Sequence, residues 1–179
     1  MRLTLSERFR SLAQEPFSMA RKIGISEGQT VADIGAGKGF LTIPASKIVG
    51  REGLVYSVEP NPERSRRIMN RVAMEGLENV RVLTAGVEQL GKIPSESVDL
   101  AFSAFSIHHF KDKLAGIMEI RRILRAGGVF YVWDRVPGMI VRHGTRPAEL
   151  EQLSEELSGV FAKFELLSTK KTIKARFTK

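Results

Sequence analysis

Val31-Ala32-Asp33-Ile34-Gly35-Ala36-Gly37-Lys38-Gly39-Phe40 is the stretch that decides the fold. An apolar run passes directly into three alternate glycines and then into a helix, so a strand, a tight turn and a helix N-terminus follow one another. Glycine is needed where a turn adopts backbone angles that a Cβ opposes, and where a ligand must approach the main chain closely. The unpaired N–H groups of the helix N-terminus then face that ligand. A dinucleotide turn is spaced Gly-x-Gly-x-x-Gly and receives a pyrophosphate. Here the spacing is Gly-x-Gly-x-Gly, and Asp33 stands two residues before the first glycine. A carboxylate there repels a pyrophosphate and favours an ammonium or a sulfonium, which argues against a nicotinamide-dependent oxidoreductase.

Outward from this turn, short apolar runs alternate with helix-length segments, the pattern of repeated βα units on a mainly parallel sheet. The predicted strands are Thr30 to Ile34, Leu54 to Val58, Val80 to Thr84, Val98 to Phe105, Gly128 to Asp134, Phe164 to Thr169 and Thr172 to Phe177. The last two are separated only by Lys170-Lys171, which forces an antiparallel hairpin because a parallel crossover needs a dozen or more residues. Asn61-Pro62 starts a helix that runs toward Glu75 and stops at Gly76. A second helix spans Lys113 to Leu124 and is expected to end in an Ala126-Gly127-Gly128 break before the next strand. A third runs from Pro147 to Val160. Leu5 to Ile23 is helical in pattern, with Pro16 predicted to divide it into two short helices.

Glu59 closes the second strand, twenty residues beyond Gly39. An acid at that place can accept both hydroxyl hydrogens of a ribose.

The chain has 179 residues, 42% of them hydrophobic, which suits one domain. We divide it into an N-terminal helical segment (1–28), a ligand-binding core (29–134) and a closing loop, helix and hairpin (135–179). The absence of cysteine excludes disulfides, thiolate metal sites and cysteine nucleophiles. No apolar run approaches the roughly 18 residues of a membrane span, and the expected location is cytoplasmic. The net charge of +8 favours anionic partners. The cations are dispersed, however, and no aromatic-interleaved nucleic-acid motif accompanies them.

Taken together, these residues resemble the class I S-adenosylmethionine-dependent methyltransferases, type 11, the ubiquinone/menaquinone-biosynthesis-like group. The resemblance runs from Gln29 to Trp133. It rests on Val31 to Gly39, on Tyr56-Ser57-Val58-Glu59, on Val98 to Ser103 with Ile107-His108-His109-Phe110, and on Ile120 to Gly128. It implies a Rossmann-like α/β fold: a seven-stranded, mostly parallel sheet ordered 3-2-1-4-5-7-6, strand 7 antiparallel, with helices on both faces. S-adenosylmethionine is the implied cofactor. Asp33 and the turn residues Gly35, Ala36, Gly37 and Gly39 would line its methionine and ribose side. Glu59 and Pro60 would meet ribose and adenine, and Ser103 with Ala104 would lie under the sulfonium. The family commonly places an acid after the third strand to hold the adenine amino group. Gly86 stands there instead, leaving adenine to the backbone at Val87 or to Glu88.

The resemblance does not specify the methyl acceptor. A base is required only if the acceptor must first lose a proton, and the candidates at the carboxyl edge are His108, Asp134 and His143. For His108-His109 the plain structural expectation is that one caps the next helix and the other packs beneath it. Adjacent helical residues point apart and cannot chelate one ion, so no metal is expected. Asp99 is expected to be structural. The loop Arg135 to Gly144, with Arg135, Arg142 and His143, offers a positive rim suited to an anionic or polar small molecule. RNA is the runner-up acceptor. The alternatives are an RNA or protein methyltransferase using the basic surface, a non-catalytic cofactor-binding module and, within the same fold, an aminopropyltransferase.

Overall fold

The computed structural model describes residues 15–138 and 143–179. Seven strands form one sheet: β1 (Thr30–Ile34), β2 (Leu54–Val58), β3 (Val80–Leu83), β4 (Val98–Ala104), β5 (Leu124–Arg135), β6 (Lys163–Ser168) and β7 (Thr172–Thr178). Their order is β3-β2-β1-β4-β5-β7-β6. The pairs among β1 to β5 are parallel, and β7 runs antiparallel to both β5 and β6. This is the expected order, and the Lys170-Lys171 turn closes the expected hairpin.

Residues 15–23 are helical across Pro16 and are called α1; the stretch from Leu5 to Gln14 lies outside the described residues. The remaining helices are α2 (Thr42–Val49), α3 (Pro62–Met74), α4 (Lys113–Ile123) and α5 (Pro147–Glu156). Asn61 caps α3 by accepting from the Glu63 and Arg64 N–H groups at 3.0 and 3.1 Å, with Pro62 at the first helical position. The helices cover the sheet from both sides. Ile117 and Ile120 of α4 and Leu150 of α5 pack on Phe130, Ile173 and Phe177. On the other face Met19 and Ala20 of α1 and Ala45 and Val49 of α2 pack on Val31 and Phe102. Each large side chain buried in these layers contributes about 1.5–3 kcal/mol.

Several boundaries differ from the sequence expectation; the last helix, expected to reach Val160, stops at Glu156. Ala126-Gly127-Gly128 does not separate α4 from β5. The strand begins at Leu124, and the β4 register jumps from Val98↔Leu124 to Leu100↔Val129. The three residues therefore bulge from the ladder, Gly127 at φ +72°, and Gly127 N–H donates to the Lys179 carbonyl. At the other end of β4, Phe105 leaves the strand because it turns to φ +57°.

Asp99, expected to be structural, ties the amino edge of the sheet together. One carboxylate oxygen accepts from Thr30 N–H at 2.6 Å and the other lies 2.8 Å from Arg125 Nε. Removing the acid leaves the Thr30 N–H unpaired. Asp99→Ala is expected to lower stability by about 1–3 kcal/mol in urea denaturation, and an unchanged midpoint would show the contact to be idle.

Candidate functional site

The carboxyl ends of β1, β2, β4 and β5 border a cleft of about 1260 Å³. Its β1 side is made by the glycine turn. Gly35 and Gly37 hold φ +76° and +60°, and Gly35 and Ala36 N–H both donate to the Val58 carbonyl at 2.9 Å. A Cβ on Gly35 would lie 2.5 Å from the Ser106 Cβ, whereas a Cβ on Gly37 would meet nothing within 4 Å. The turn therefore needs glycine at 35 to close against β4 and leaves space beside 37.

Glu59 is nearly fully buried. One of its carboxylate oxygens accepts from Gly37 N–H at 2.8 Å and the other from Asn61 N–H at 3.0 Å, with Arg64 3.9 Å away. The same side chain thus fixes the glycine turn and the start of α3. Asp33 is also buried, and accepts from the Thr42 hydroxyl at 2.7 Å, which in turn shares a hydrogen bond with Ser57. Burial pushes the Asp33 carboxyl up to about 7, with the Thr42 hydrogen bond opposing and the Glu59 charge adding to the rise.

Asp33, Gly35, Ala36, Gly37, Glu59, Pro60, Gly86, Val87 and Ala104 all line the cleft. Gly39 and Ser103 are not on its wall. Gly39 faces Ile68 and Arg71 of α3. Ser103 is buried behind the wall, 2.7 Å from the Ser106 hydroxyl, which donates to the Ile34 carbonyl at 2.8 Å. Beyond Gly86, Glu88 also lines the cleft, and its carboxylate accepts from Asp112 N–H at 3.2 Å.

The acceptor-side candidates separate. His108 and His109 form a 3-10 turn (Ile107–His109) and neither caps α4; Asp112 does, accepting from Ala115 N–H. Asp is the stronger cap because its carboxylate reaches the free N–H groups from outside the first turn. His108 Nδ1 lies 2.8 Å from an Asp134 oxygen. That oxygen also accepts from the Thr145 hydroxyl at 2.7 Å, and the second accepts from Arg135 N–H at 2.8 Å. Asp134 is fully buried and stands behind the wall, joining the 3-10 turn to the segment after β5. His143 is exposed and not on the wall, and Arg142 lies outside the described residues.

Sequence reasoning missed Phe105 and Ser106, which face the cleft here, and did not single out His109 from its neighbour; Arg135, read from the sequence as part of a positive rim, lines the cleft beside them. Partial burial and the neighbouring His108 hold the His109 imidazole below its ordinary range, against the pull of Asp134. Phe105 in the left-handed region costs about 1–3 kcal/mol, and nothing in its residue type announces that conformation.

Residues 32–132, more than half of the chain, match the family described as Methyltransferase domain. Aklanonic acid methyltransferase DauC of Streptomyces sp. (strain C5) is 30% identical over 111 residues, 60% of this chain and 50% of that protein. The ubiquinone/menaquinone biosynthesis C-methyltransferase UbiE of Marinomonas sp. (strain MWYL1) is 31% identical over 112 residues, 62% of this chain and 44% of that protein. The chain thus spans about half the length of these curated relatives. A crystal structure of a SAM dependent methyltransferase from Aquifex aeolicus superposes with a TM-score of 0.75 at 22% identity, covering 99% of both chains. The chain belongs to the methyltransferase-domain family, in the class I, type 11 group of S-adenosylmethionine-dependent methyltransferases.

The raised Asp33 pKa makes a stability prediction. Below its ordinary value of 3.8 both folded and unfolded chains hold the proton. Between that value and about 7 the folded chain keeps a proton that the unfolded chain releases, so stability falls as pH rises through this window. Asp33→Asn removes the charge while an amide oxygen still accepts from Thr42. The variant is expected to gain on the order of a few kcal/mol over wild type at about pH 8 and far less at about pH 5. Equal shifts at both pH values in thermal unfolding would exclude a charged, buried Asp33 as the cause.

Proposed function

We propose that the protein transfers the methyl group of S-adenosylmethionine to an anionic or polar small-molecule acceptor. The observation that carries this reading is the distribution of charge across the cleft. The buried carboxylates Asp33 and Glu59 stand on the β1–β2 side, and Arg135 ends β5 across the sheet. The first side suits a cationic donor and the second an anionic acceptor.

The residues present fit the cofactor. Gly37 lines the cleft, and any side chain there would project into open space. Two carboxylates and the backbone of the glycine turn supply the acceptors and donors that an amino-acid nucleoside needs. Asp33 and the turn Gly35 to Gly37 would hold the amino-acid end, and Glu59 with Pro60 the ribose. Gly86, Val87 and Glu88 are the groups available to adenine.

S-adenosylmethionine supplies, when bound, a methyl group already activated on a sulfonium. The protein's part is to hold two molecules in line and keep water out, an effect that can supply roughly 7 to 11 kcal/mol. Ala104, Phe105 and His109 form the wall beside Arg135 where an acceptor would lie. His109 is poised as a neutral imidazole, able to take a proton from an acceptor that must lose one. The names of the two relatives, one for aklanonic acid and one for ubiquinone/menaquinone biosynthesis, support a small-molecule acceptor.

Calorimetry with S-adenosylhomocysteine tests the donor side. Glu59→Ala is expected to weaken binding by about 1.5–3 kcal/mol, the range for hydrogen bonds to a charged group. Near pH 7, an ammonium beside Asp33 should expel its proton, so the binding heat should vary with the ionisation heat of the buffer. No binding by the wild type would sink the assignment, and an unchanged affinity in the Glu59 variant would remove that residue from the site.

A further inference from the structure

We propose that Arg135 and Phe105 form one preorganised receptor for the carboxylate of a planar aromatic acceptor. The proposal rests on the methyl-transfer reading for the word acceptor, and on the geometry of the cleft for everything else. Arg135 lies over the Phe105 ring, 5.0 Å from its centre, and both residues line the cleft. A cation over an aromatic face is held without using its N–H donors on an oxygen. Among the described residues, no carboxylate lies within ion-pair distance of Arg135. Its planar fork of donors is therefore available to a carboxylate from solution, the group that fork matches in a bidentate way.

Both halves of the receptor are fixed by backbone hydrogen bonds, and Phe105 also packs against the core. Phe105 is turned to φ +57°, a conformation that a bulky side chain rarely adopts and that survives only where surroundings impose it. Its N–H is tied to the Trp133 carbonyl at 2.7 Å. The Arg135 backbone is clamped on both sides: its N–H donates to buried Asp134, and its carbonyl accepts from Thr145 N–H at 2.9 Å. Gly144 makes that second contact possible, because a Cβ there would run into the Arg135 carbonyl oxygen. Asp134 in turn anchors His108, so the turn that carries His109 shares the frame that holds Arg135. A ring, a fork of donors with no carboxylate partner among the described residues, and an imidazole then face one space. The part of the half-buried Phe105 ring that Arg135 leaves uncovered offers apolar surface to a flat body, and the guanidinium recognises an anion on it. An aliphatic acid would gain only the second term, and a neutral ring only the first.

The test uses the full-length protein saturated with S-adenosylhomocysteine, titrated with salicylate and with hydroxynaphthoate, each against its own neutral amide. The carboxylates are expected to bind roughly tenfold or more tightly than the amides. Arg135→Gln should abolish that preference, and Arg135→Lys, which keeps the charge without the fork, should restore only part of it. Phe105→Leu should weaken carboxylate and amide alike, as loss of a stacking platform does. Equal binding of acid and amide, failure of every aromatic acid to bind at millimolar concentration, or a preference that persists in Arg135→Gln would overturn the proposal. The failures are separable. S-adenosylhomocysteine that does not bind removes the donor assignment, whereas the acid-over-amide preference is measured again without it and stands or falls by itself.

Discussion

The close approach of β1 to the end of β4 at Gly35 is the constraint on which the site depends. With no Cβ at that position, the Ser106 side chain fits against the main chain and its hydroxyl reaches the Ile34 carbonyl. Ser103 completes the contact from behind, and the Gly35 and Ala36 N–H groups turn to the Val58 carbonyl. Three strand ends are thereby locked at one point: β1 by its own turn, β2 through Val58, β4 through its serines. Glu59, the next residue of the β2 segment, is delivered to the Gly37 N–H by this lock. Phe105, between the two serines in sequence, has to leave the strand where it does. A side chain at 35 would part these ends, and the cleft would lose both its acidic and its aromatic wall together.

A second centre, at Asp134, performs the same task on the far side of the sheet. It is a buried carboxylate whose oxygens meet donors from Thr145, Arg135 and His108. Buried charges survive when they are fully hydrogen-bonded, and here the bonds go to three separate segments. The acid therefore organises the wall and does not face the cleft. The candidate bases His108 and Asp134 thus bond to each other behind the wall, and the imidazole on the cleft wall is that of the adjacent His109.

The strands themselves were legible because each parallel one announced itself as an apolar run beside a turn signal, and a two-residue link permits only an antiparallel last pair; their order in the sheet came from the family resemblance. Asp33, Gly35, Gly37 and Glu59 could be read as a group because their chemistry is tied to fixed spacing in one βα turn and at one strand end. The Gly127 bulge could not, since Ala-Gly-Gly serves equally as a loop and as a break in a ladder, and only the pairing to β4 and Lys179 decides it. Ser103 looked like a wall residue because alternation along a strand gives a face, not a depth. The Arg135–Phe105 contact joins residues thirty apart in sequence through the ends of β4 and β5. It depends on a backbone angle at Phe105 that no local pattern encodes.

Asp33 carries the argument about cost and function furthest. A buried acid whose pKa is pushed up to about 7 is unfavourable when ionised, and a Thr42 hydroxyl does not offset the loss of water around it. An amide or a hydroxyl would fill the same space with less penalty, so the fold alone gives no reason for a carboxylate. A cationic ligand gives one. In its presence the charge that destabilises the empty cleft becomes the charge that is matched, and the desolvation already paid in folding is not paid again on binding. Preorganisation of this kind shifts free energy from stability to affinity. On the other side Phe105 is held at a strained backbone angle by its hydrogen bond to Trp133, so that wall too is set by the fold before any ligand arrives, although its strain, unlike the Asp33 charge, stays with the protein when a ligand binds.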